Sequence, residues 1–505
     1  MILSGYTLKN IQSPAIEVPA QAIFDLPEKV LQFGTGVLLR GLPDYFIDKA
    51  NKKGIFNGRI VVVKSTDGGD APSFDKQDGL YTICVRGIDK GKAIEENIVC
   101  ASISRVLSAK NEWDKILECA RNPSLKIIIS NTTEVGIELV NDDIKRYPPV
   151  SFPGKLLSFL FERYKAFGGN KDAGMVIVPT ELIVDNGKKL EAIVTELAHL
   201  NGLDEAFMDW LENSNKFCNS LVDRIVPGKP DTTAKAALEK KLGYTDELIT
   251  MCEVYRLWAI EGDEEVAKVL SFAKADEGVV IAKNIDVFRE LKLRLLNGTH
   301  TLSSGIAFLS GLSTVKQAMD DSYMSAYIGT VMKKEIAPAI PCKVDLAEAD
   351  TFAAKVLDRF RNPGIEHQWL SITMQYSSKM QMRIVPVLLQ YYQRFNTVPQ
   401  NMALGFAAYI LFMKAVKEKD GNYFGERNVD LYPIKDDKAA YFYEKWKKVK
   451  ADSIARSVLQ DINLWGHDLN TLPGFADAVQ EKIDEINERG MATVLQMPAA
   501  QKIPV

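Results

Sequence analysis

Short apolar runs alternate with helical segments through the first half of this chain, and that alternation restricts the possible folds more than any other feature. Runs rich in β-branched residues, typical of buried strands, occur at residues 29–34, 59–64, 125–130 and 175–179. Apolar residues at helical spacing occur at residues 37–50, 111–120, 155–167 and 188–200. Strands that alternate with helices predict a parallel sheet with helices on both faces, the doubly wound, Rossmann-like α/β arrangement.

The chain changes character from about Val287 onward, where helical patterns follow one another with almost no strand signal. The sequence therefore predicts a mostly α-helical C-terminal domain after the α/β domain. We place the boundary late in the interval between Pro227 and Val287. This choice gives a Rossmann-like α/β domain over residues 1–282 and a helical domain over residues 283–505.

Composition excludes several classes of partner. The 505-residue chain has a net charge of −4 with both signs interspersed, and no basic block favours nucleic acid or anionic lipid. The amino terminus lacks the basic start and apolar run of a signal peptide. The longest apolar stretch, around residues 403–413, is too short to span a bilayer. These features predict a cytoplasmic protein that binds neither nucleic acid nor membrane.

The cysteines and histidines argue against a metal site. None of the six cysteines belongs to a C-x-x-C pair or has a histidine at metal-ligand spacing. Scattered single cysteines in a long chain are usually small buried hydrophobic residues in a reducing compartment. Since the chain has only four histidines, we expect no bound metal.

A glycine turn joins the first predicted strand to the first predicted helix. Gly34 and Gly36 form a G-x-G pair there, where glycine lets the backbone approach a pyrophosphate and the helix amino terminus favours its charge. The third glycine of the usual fingerprint is replaced by Leu39, and Arg40 could contact phosphate instead. The pattern favours a dinucleotide site, although a tight strand-to-helix turn without a ligand would contain the same glycines.

One acidic residue is a candidate for recognising the ribose of such a cofactor. An acid at the end of the second strand would hydrogen-bond the ribose and favour NAD over NADP. Asp67 is the nearest, but it lies 33 residues after Gly34 rather than the usual ~20. The run Asp67-Gly-Gly could equally form a turn and nothing more.

An amine, an amide and an imidazole occur within nine residues of the second domain, at Lys292, Asn297 and His300. At about 100° per residue of an α-helix, Lys292 and His300 lie roughly 80° apart and Asn297 about 60° beyond His300, so all three could face one pocket. A proton-exchanging amine, an amide that supports an oxyanion and an imidazole that binds a hydroxyl suit metal-free oxidation of a secondary alcohol. The alternative is a helix end with an exposed lysine, a capping asparagine and a structural histidine.

Four motifs follow one another in the order found in one enzyme family. They are Gly34-x-Gly36-x-x-x-Arg40, Asn219-Ser-Leu-Val-Asp223-Arg224-Ile-Val-Pro227, Trp258-Ala-Ile-Glu261 and Lys292-x4-Asn297-x2-His300. Together they span well over half of the chain and resemble the polyol-specific long-chain dehydrogenases, the mannitol dehydrogenase family. The resemblance implies an NAD-dependent enzyme that transfers hydride reversibly between the nicotinamide and a carbinol carbon of a small-molecule substrate.

The resemblance also implies roles for individual residues. Lys292 matches the catalytic acid and base, Asn297 the residue that supports the oxyanion and His300 the residue that positions the substrate. Asp223 matches an active-site aspartate and Lys379 a substrate-binding lysine; a structural ion pair and a solvent-facing position are the respective alternatives. The turn implied to hold NAD comprises Val30, Leu31, Gln32, Phe33, Gly34, Thr35, Gly36, Val37, Leu38, Leu39, Arg40 and Gly41.

Within that family the chain most resembles members that interconvert an aldonate and a keto-uronate. Segments 31–36, 77–82, 130–136 and 217–227 carry this closer resemblance. Members acting on mannitol or fructuronate typically show Phe-x-Arg-x-His after the glycines, whereas residues 38–42 contain no histidine. A fructuronate or neutral-polyol enzyme and, from another class, a nucleotide-binding protein without catalysis are the alternatives. The sequence allows a monomer or a small homo-oligomer.

One departure from the family pattern concerns the oxyanion. Many relatives carry Cys-Asp-Asn shortly before an Asn-Gly pair, and that Asn is a second hydrogen-bond donor to the oxyanion. Here the aligned residues are Thr180-Glu181-Leu182, and leucine has no side-chain donor. Either Asn297 works with another donor or Asn186 substitutes.

The carboxylate of an acidic substrate calls for an arginine or lysine. Lys379, Arg361 and Arg383 are all available for this contact. The sequence does not distinguish among them.

Overall fold

The chain folds into two compact units, and the computed structural model describes residues 1–65, 71–132 and 136–497. Unit 1 contains Met1–Gly87 and Ala93–Ile285, and unit 2 contains Ile88–Lys92 and Asp286–Val505. Within the described ranges, no helix combines the length and the apolar character needed to cross a membrane.

Unit 1 is built around a parallel sheet. The strands up to Ile285 are β1 (Glu28–Phe33), β2 (Arg59–Lys64), β3 (Tyr81–Asp89), β4 (Lys92–Cys100), β5 (Ile103–Ser108), β6 (Ile127–Ser130), β7 (Val176–Pro179), β8 (Lys216–Phe217), β9 (Ser220–Asp223), β10 (Thr250–Glu253), β11 (Leu257–Glu261) and β12 (Val279–Ala282). In the described part of unit 1, six of them form a sheet in the order β5-β2-β1-β6-β7-β8, with neighbouring strands parallel. The strand order switches direction beside β1, which is where open α/β sheets bind their ligands.

Helices cover both faces of the parallel sheet. The described α-helices of unit 1 are α1 (Val37–Gly41), α2 (Pro43–Lys52), α3 (Ala71–Lys76), α4 (Trp113–Cys119), α5 (Phe152–Ala166), α6 (Asn186–Leu200), α7 (Glu205–Ser214), α8 (Thr232–Leu242) and α9 (Glu264–Val269). One buried cluster contains Val30 and Phe46 of α2, and the other contains Leu31 and Leu156 of α5. Because successive strand residues face opposite sides of a sheet, these clusters lie on its two faces. The predicted Rossmann-like arrangement is confirmed.

The first predicted helix is interrupted. The sequence predicts one helix over residues 37–50, whereas α1 ends at Gly41 and α2 begins at Pro43. Leu42 between them has φ −133° and ψ −77°, outside the helical range. The proline ring pushes the preceding residue away from the α-helical region, so Pro43 explains the interruption.

Two smaller sheets complete the described strands of unit 1. β3 lies between β10 and β4, and β11 lies between β12 and β9. β11 carries Trp258, which is fully buried and stacked 5.5 Å from the ring of Phe272. The tryptophan of the Trp-x-x-Glu motif therefore packs in the core.

Unit 2 is mostly helical, which confirms the prediction. Its α-helices are α10 (Asp286–Leu291), α11 (Thr299–Leu309), α12 (Val315–Asp320), α13 (Ser322–Thr330), α14 (Leu346–Phe360), α15 (Trp369–Ile372), α16 (Tyr376–Arg383), α17 (Val385–Phe395), α18 (Gln400–Phe412), α19 (Ala439–Lys448), α20 (Ile454–Leu459), α21 (Ile462–Trp465), α22 (Phe475–Arg489) and α23 (Met491–Gln496). π-Helical segments occupy Lys292–Gly298 and Val331–Ile336. The strands β13 (Lys417–Lys419), β14 (Asn422–Arg427) and β15 (Asp430–Ile434) form an antiparallel sheet that the sequence did not predict.

Glycines let two central helices of unit 2 pack closely. A Cβ on Gly405 of α18 would lie 2.5 Å from Leu302 Cδ2 of α11, and a Cβ on Gly305 would lie 3.1 Å from the Ala408 backbone. The Gly305 N–H also donates to the Tyr376 hydroxyl of α16 (3.0 Å). α11 is thereby fixed to both α18 and α16, the second of which carries two of the predicted substrate residues.

Candidate active site

The turn after β1 depends on Gly34. Its φ is +125°, a conformation that residues with side chains rarely adopt, and its N–H donates to the Val63 carbonyl of β2 (3.0 Å). A Cβ at this position would lie 2.8 Å from the Asn131 carbonyl oxygen, just after β6. Conformation and close approach of the neighbouring backbone therefore both require glycine.

Gly36 and Gly41 serve different purposes. Gly36 directly precedes α1, and a Cβ built on it would meet no described atom within 4 Å. A Cβ on Gly41 would lie 2.7 Å from Cys252 Sγ and 2.8 Å from Val226 Cγ1. Gly41 thus provides the close packing for which the usual fingerprint employs its third glycine, while Leu39 at that position is buried. At Gly36 no described atom would obstruct an anion, which a helix amino terminus favours.

The structure gives no support for two of the predicted cofactor residues. Arg40 is buried, with its guanidinium 5.7 Å and 5.9 Å from the ring centroids of Phe74 and Tyr81 and its Nη1 3.4 Å from the Leu248 carbonyl. A guanidinium packed on aromatic rings inside unit 1 does not favour the predicted phosphate contact. Asp67 lies outside the described residues.

Glu181 organises the loops that follow β6 and β7. Its carboxylate accepts hydrogen bonds from the Thr132 N–H (2.9 Å), the Thr132 hydroxyl (3.0 Å) and the Ser130 hydroxyl (3.1 Å). Asn131 donates from Nδ2 to the Thr180 carbonyl (3.2 Å) and hydroxyl (3.0 Å). These bonds hold together the carboxyl ends of two neighbouring parallel strands, the edge at which such sheets bind nucleotides.

The side-chain amide of Asn186 is fully used in hydrogen bonds within the fold. Its Nδ2 donates to the carbonyls of Pro179 (3.1 Å), Glu181 (3.0 Å) and Ser220 (3.1 Å), and its Oδ1 accepts from the N–H groups of Gly187 (2.9 Å) and Ser220 (2.8 Å). The amide therefore joins β7, α6 and β9 and keeps no donor for a substrate. The structure does not support Asn186 as a replacement oxyanion donor.

Asp223 is buried at the end of β9. The next residue, Arg224, donates to the carbonyls of Glu253 (3.0 Å) and Gly41 (2.6 Å). Its guanidinium also lies 4.5 Å from the ring centroid of Tyr45. This arginine ties the end of β9 to α1 and α2, so the Asp223 backbone has a fixed position in unit 1.

The Lys292 segment of unit 2 is π-helical rather than α-helical. The segment Lys292–Gly298 lies between α10 and α11. A π-helix closes i→i+5 hydrogen bonds and holds more residues per turn than an α-helix, so the angles predicted from 100° per residue are wrong here. Lys292 and Asn297 are half-buried, and the Asn297 side-chain amide forms no hydrogen bond with the described residues. Such π-helical turns frequently occur at functional sites.

Two arginines tie this π-helical turn to the end of α16. Arg294 on the turn donates to the carbonyls of Met382 (2.6 Å) and Arg383 (2.9 Å). Arg383 in return donates from Nη1 to the Asn297 carbonyl (3.4 Å) and the Thr301 hydroxyl (3.1 Å). These reciprocal hydrogen bonds fix Asn297 relative to α16.

His300 is buried among rings and cations. Its ring is nearly parallel to that of Phe360, with centroids 4.0 Å apart, and 5.3 Å from the ring of His367. Burial lowers the pKa of the imidazole well below its ordinary value, and the charges of His367, Arg359 and Arg383 act in the same direction. Its Nε2 is buried without a hydrogen-bond partner among the described residues. A neutral imidazole with an unused nitrogen suits contact with a substrate hydroxyl.

The three basic candidates for the carboxylate differ in their surroundings. Arg361 is 44% exposed and lies 3.6 Å from Asp358. Lys379 and Arg383, one turn apart on α16, are half-buried. Burial lowers the pKa of Arg383, and burial together with the charge of Arg383 lowers the pKa of Lys379, against the opposing effect of Asp436. Unbalanced positive charge is therefore concentrated on α16 rather than at Arg361.

Both units match models of one protein family. Residues 28–274 match the mannitol dehydrogenase Rossmann domain, and residues 284–487 match the mannitol dehydrogenase C-terminal domain. The chain belongs to the mannitol dehydrogenase family. This membership confirms the resemblance carried by the four sequence motifs.

Curated relatives are similar to this chain over nearly their whole length. An altronate oxidoreductase from Halalkalibacterium halodurans is 37% identical over 476 residues, which cover 92% of this chain and 92% of the relative. An altronate oxidoreductase from Yersinia enterocolitica is 39% identical over 92% of this chain and 95% of its own. The similarity thus extends through both family domains.

Two solved structures show the same fold. Mannitol 2-dehydrogenase of Pseudomonas fluorescens, solved as a ternary complex with NAD and D-mannitol, aligns with a TM-score of 0.64 at 22% identity and covers 98% of this chain and 99% of that one. A substrate-free D-sorbitol dehydrogenase aligns with a TM-score of 0.78 at 21% identity, over 98% of this chain and 100% of that one.

Sequence reasoning missed two features of the folded chain, one in each unit. One is the exchange between Arg294 and Arg383, for which a signal existed, because Arg294 interrupts an apolar run and a buried guanidinium needs several acceptors. The other is the close packing of Gly41, which is evident only once Cys252 and Val226 are placed beside it.

Proposed function

We propose that this protein is an NAD-dependent oxidoreductase that interconverts D-altronate and D-tagaturonate. The observation that carries the proposal is 37–39% identity, over 92% of the chain, to proteins named altronate oxidoreductase. The unit 2 residues agree with it, since an amine, an amide and a neutral imidazole are the groups that alcohol oxidation without a metal requires. The relatives favour this substrate pair over fructuronate or mannitol.

The proposed cofactor contact is the turn from Val30 to Gly41. Bound NAD supplies the hydride acceptor, and NADH the hydride donor. Gly34 and Gly36 let the backbone come close to the pyrophosphate, and the amino terminus of α1 favours its negative charge. Asp67 is kept in the proposal as the ribose contact that favours NAD over NADP.

Lys292 is proposed to exchange the proton that accompanies hydride transfer. In the reductive direction, hydride reaches the ketone carbon while the carbonyl oxygen takes a proton from the Lys292 ammonium; in the oxidative direction, neutral Lys292 removes the hydroxyl proton. Asn297 donates a hydrogen bond to the same oxygen, and His300 binds a neighbouring hydroxyl. Asp223 and Lys379 remain proposed substrate contacts, as the family resemblance implies.

We further propose that residues 1–282 form the nucleotide-binding domain and residues 283–505 the substrate domain. The proposed location is the cytoplasm, because the six cysteines are all free, as is usual in a reducing compartment. The proposed state is a monomer or small homo-oligomer that binds neither nucleic acid nor membrane.

The proposed reaction can be tested with the purified full-length protein. NADH oxidation is measured with tagaturonate, fructuronate and fructose, and we expect the highest kcat/KM for tagaturonate. A preference for fructuronate or fructose would replace the proposed substrate. Binding of NADH without turnover of any of the three would contradict an enzymatic role.

Replacing Lys292 tests the proposed proton transfer. We expect Lys292→Ala to lower kcat by about 10³-fold or more, because a positioned acid or base contributes about 10²–10⁴-fold, while the dissociation constant for NADH stays near that of the wild type. Lys283→Ala, at an exposed lysine nine positions earlier, is the matched control. Near-normal turnover of Lys292→Ala would remove this lysine from the mechanism.

A further inference from the structure

We infer that Arg383 binds the carboxylate of the substrate and thereby makes the site selective for a sugar acid over a neutral polyol. Lys379, one turn earlier on α16, supplies a second positive charge to the same group. The inference rests on the proposed function, because the carboxylate is what distinguishes an aldonate from the corresponding alditol.

Among the described residues, hydrogen-bond partners engage a single nitrogen of the Arg383 guanidinium. Nη1 donates to the Asn297 carbonyl (3.4 Å) and the Thr301 hydroxyl (3.1 Å). Nε and Nη2 form no hydrogen bond with the described residues, and neither atom is fully buried. The Nε–Nη2 edge of a guanidinium presents two parallel N–H donors, the geometry that binds a carboxylate through both of its oxygens.

The positive charge beside this edge is not neutralised by the described part of the chain. Neither Arg383 nor Lys379 forms an ion pair within 4 Å there. Asp436, the acid that acts on Lys379, already accepts from the Ser377 N–H (2.7 Å), the Ser377 hydroxyl (2.8 Å) and the Lys438 N–H (2.8 Å). A bound carboxylate would therefore relieve the repulsion between two partly desolvated cations.

The cationic face of α16 borders the residues proposed for the chemistry. At one end, Arg383 is hydrogen-bonded to the backbone of Asn297. At the other end, Lys379 lies close enough to His367 that burial and then the charge of Lys379 lower the pKa of that imidazole. The ring of His367 is in turn 5.3 Å from that of His300. A carboxylate on α16 would thus be adjacent to the proposed oxyanion and hydroxyl contacts.

Substituting Arg383 tests this selectivity directly. kcat/KM is measured for tagaturonate and for the neutral ketose tagatose in Arg383→Met, which removes the charge but keeps an apolar stem. We expect the acid-to-neutral ratio to fall roughly 100-fold, as is typical when one partner of a close charge pair is removed. Arg383→Lys, which keeps the charge but loses the two-donor edge, should lower the ratio less. Arg361→Met, at an exposed arginine paired with Asp358, is the matched control and should leave the ratio unchanged.

The ratio of kcat/KM for tagaturonate to kcat/KM for tagatose distinguishes carboxylate binding by Arg383 from a purely structural role of this residue. Loss of the contact to Asn297 would lower turnover on both substrates, so a reduced rate alone says nothing about the carboxylate. An unchanged ratio in Arg383→Met would overturn the inference, even if both rates fell. The melting temperature and NADH affinity of each variant establish whether it is folded.

Ligand binding distinguishes failure of this inference from failure of the proposed reaction. Calorimetric titration of the NADH-bound wild type with altronate and with altritol, its neutral alditol, should show tighter binding of altronate. Arg383→Met should lose that preference, and Arg383→Lys should retain part of it. If the wild type prefers altronate but reduces no keto-uronate, the reaction is wrong and the carboxylate site stands. Equal binding of altronate and altritol by the wild type would overturn the carboxylate site, whatever the turnover and whether or not the variants fold.

Discussion

His300 shows how strongly surroundings can fix the state of one side chain. The imidazole is stacked on Phe360 and buried, and burial together with the neighbouring positive charges lowers its pKa well below the ordinary value. The ring is therefore neutral near pH 7. A neutral ring has one nitrogen that donates and one that accepts, which is what a sugar hydroxyl needs from a partner that orients it.

The lowered pKa of His300 also links folding to pH. The unfolded chain protonates a histidine near pH 6.5, whereas the buried ring stays neutral, so the unfolded state binds more protons below that pH. The stability contributed by the neutral ring is present above pH 6.5 and is lost as pH falls, by at most about 1.4 kcal/mol per pH unit.

We predict that His300→Gln is less sensitive to acid than the wild type. Urea unfolding of both proteins at pH 7.5 and pH 5.5 measures the difference, and the wild type should lose more stability on acidification. His367 also has a pKa lowered by burial, so part of the acid sensitivity should persist in the variant. Equal losses in the two proteins would show that His300 is protonated in the folded state.

At the scale of elements, the turn between β14 and β15 carries a strained residue. Asn428 and Val429 have φ values of 51° and 71°. Asparagine tolerates this left-handed conformation, but a β-branched residue there is an outlier. Val429 is 86% exposed, so packing of its side chain offsets little of the strain.

We predict that Val429→Gly stabilises unit 2 by about 1 kcal/mol, because glycine adopts a positive φ without the steric cost that L-residues bear and Asn-Gly is the preferred pair for such a turn. The free energy of unfolding in urea measures the effect. Asn428→Gly is the control and should change stability little. A less stable Val429→Gly would mean that the exposed side chain makes a contact that outweighs the strain.

Elements that bury a regular set of apolar side chains were predictable from the sequence. Elements without such a pattern were not. β2 has the bounds that the apolar pattern predicts, since all of its residues are buried. β13 was missed because Lys417–Lys419 is exposed and charged, with no apolar face to give a period of two. The π-helical turn was missed because no residue type marks it.

In the candidate site, too, the sequence predicted the residues but not the contacts between distant segments. Residue type and spacing singled out Lys292, Asn297 and His300, and the family resemblance implied their roles. The bond from Arg383 to the Asn297 carbonyl joins residues 86 positions apart, and no periodicity in the sequence could reveal it. The choice of Arg383 over Arg361 likewise depends on burial and ion pairing that exist only in the folded chain.

At the scale of the whole molecule, the two units carry buried groups with opposite responses to pH. Asp44 of unit 1 is fully buried, and its carboxylate accepts a hydrogen bond from the Tyr81 hydroxyl (3.1 Å). Burial raises its pKa to about 7, against the opposing effects of Tyr81 and Arg40. The folded state therefore retains a proton that the unfolded state has already released above about pH 4. The stability contributed by this proton is lost as pH rises toward 7, whereas that of His300 is lost as pH falls.

We predict that Asp44→Asn has a higher melting temperature than the wild type at pH 8, by roughly 5 °C, because the amide needs no proton to stay neutral. The difference should shrink as pH falls toward 4. Scanning calorimetry of the full-length protein at several pH values measures it. A difference that does not depend on pH would mean that Asp44 is ionised in the folded protein.

The wide turn between Lys292 and Gly298 also has a consequence for redesign. Deleting one residue would let the segment close as an ordinary α-helix, which covers about the same rotation with one residue fewer, so α10 and α11 would nearly keep their relative direction. The residues inside the turn would change direction, and the Asn297 carbonyl would lose its position opposite Arg383. Engineering toward other sugars should therefore exchange side chains on α16 and preserve the residue count of the turn, where a deletion would displace the proposed oxyanion contact.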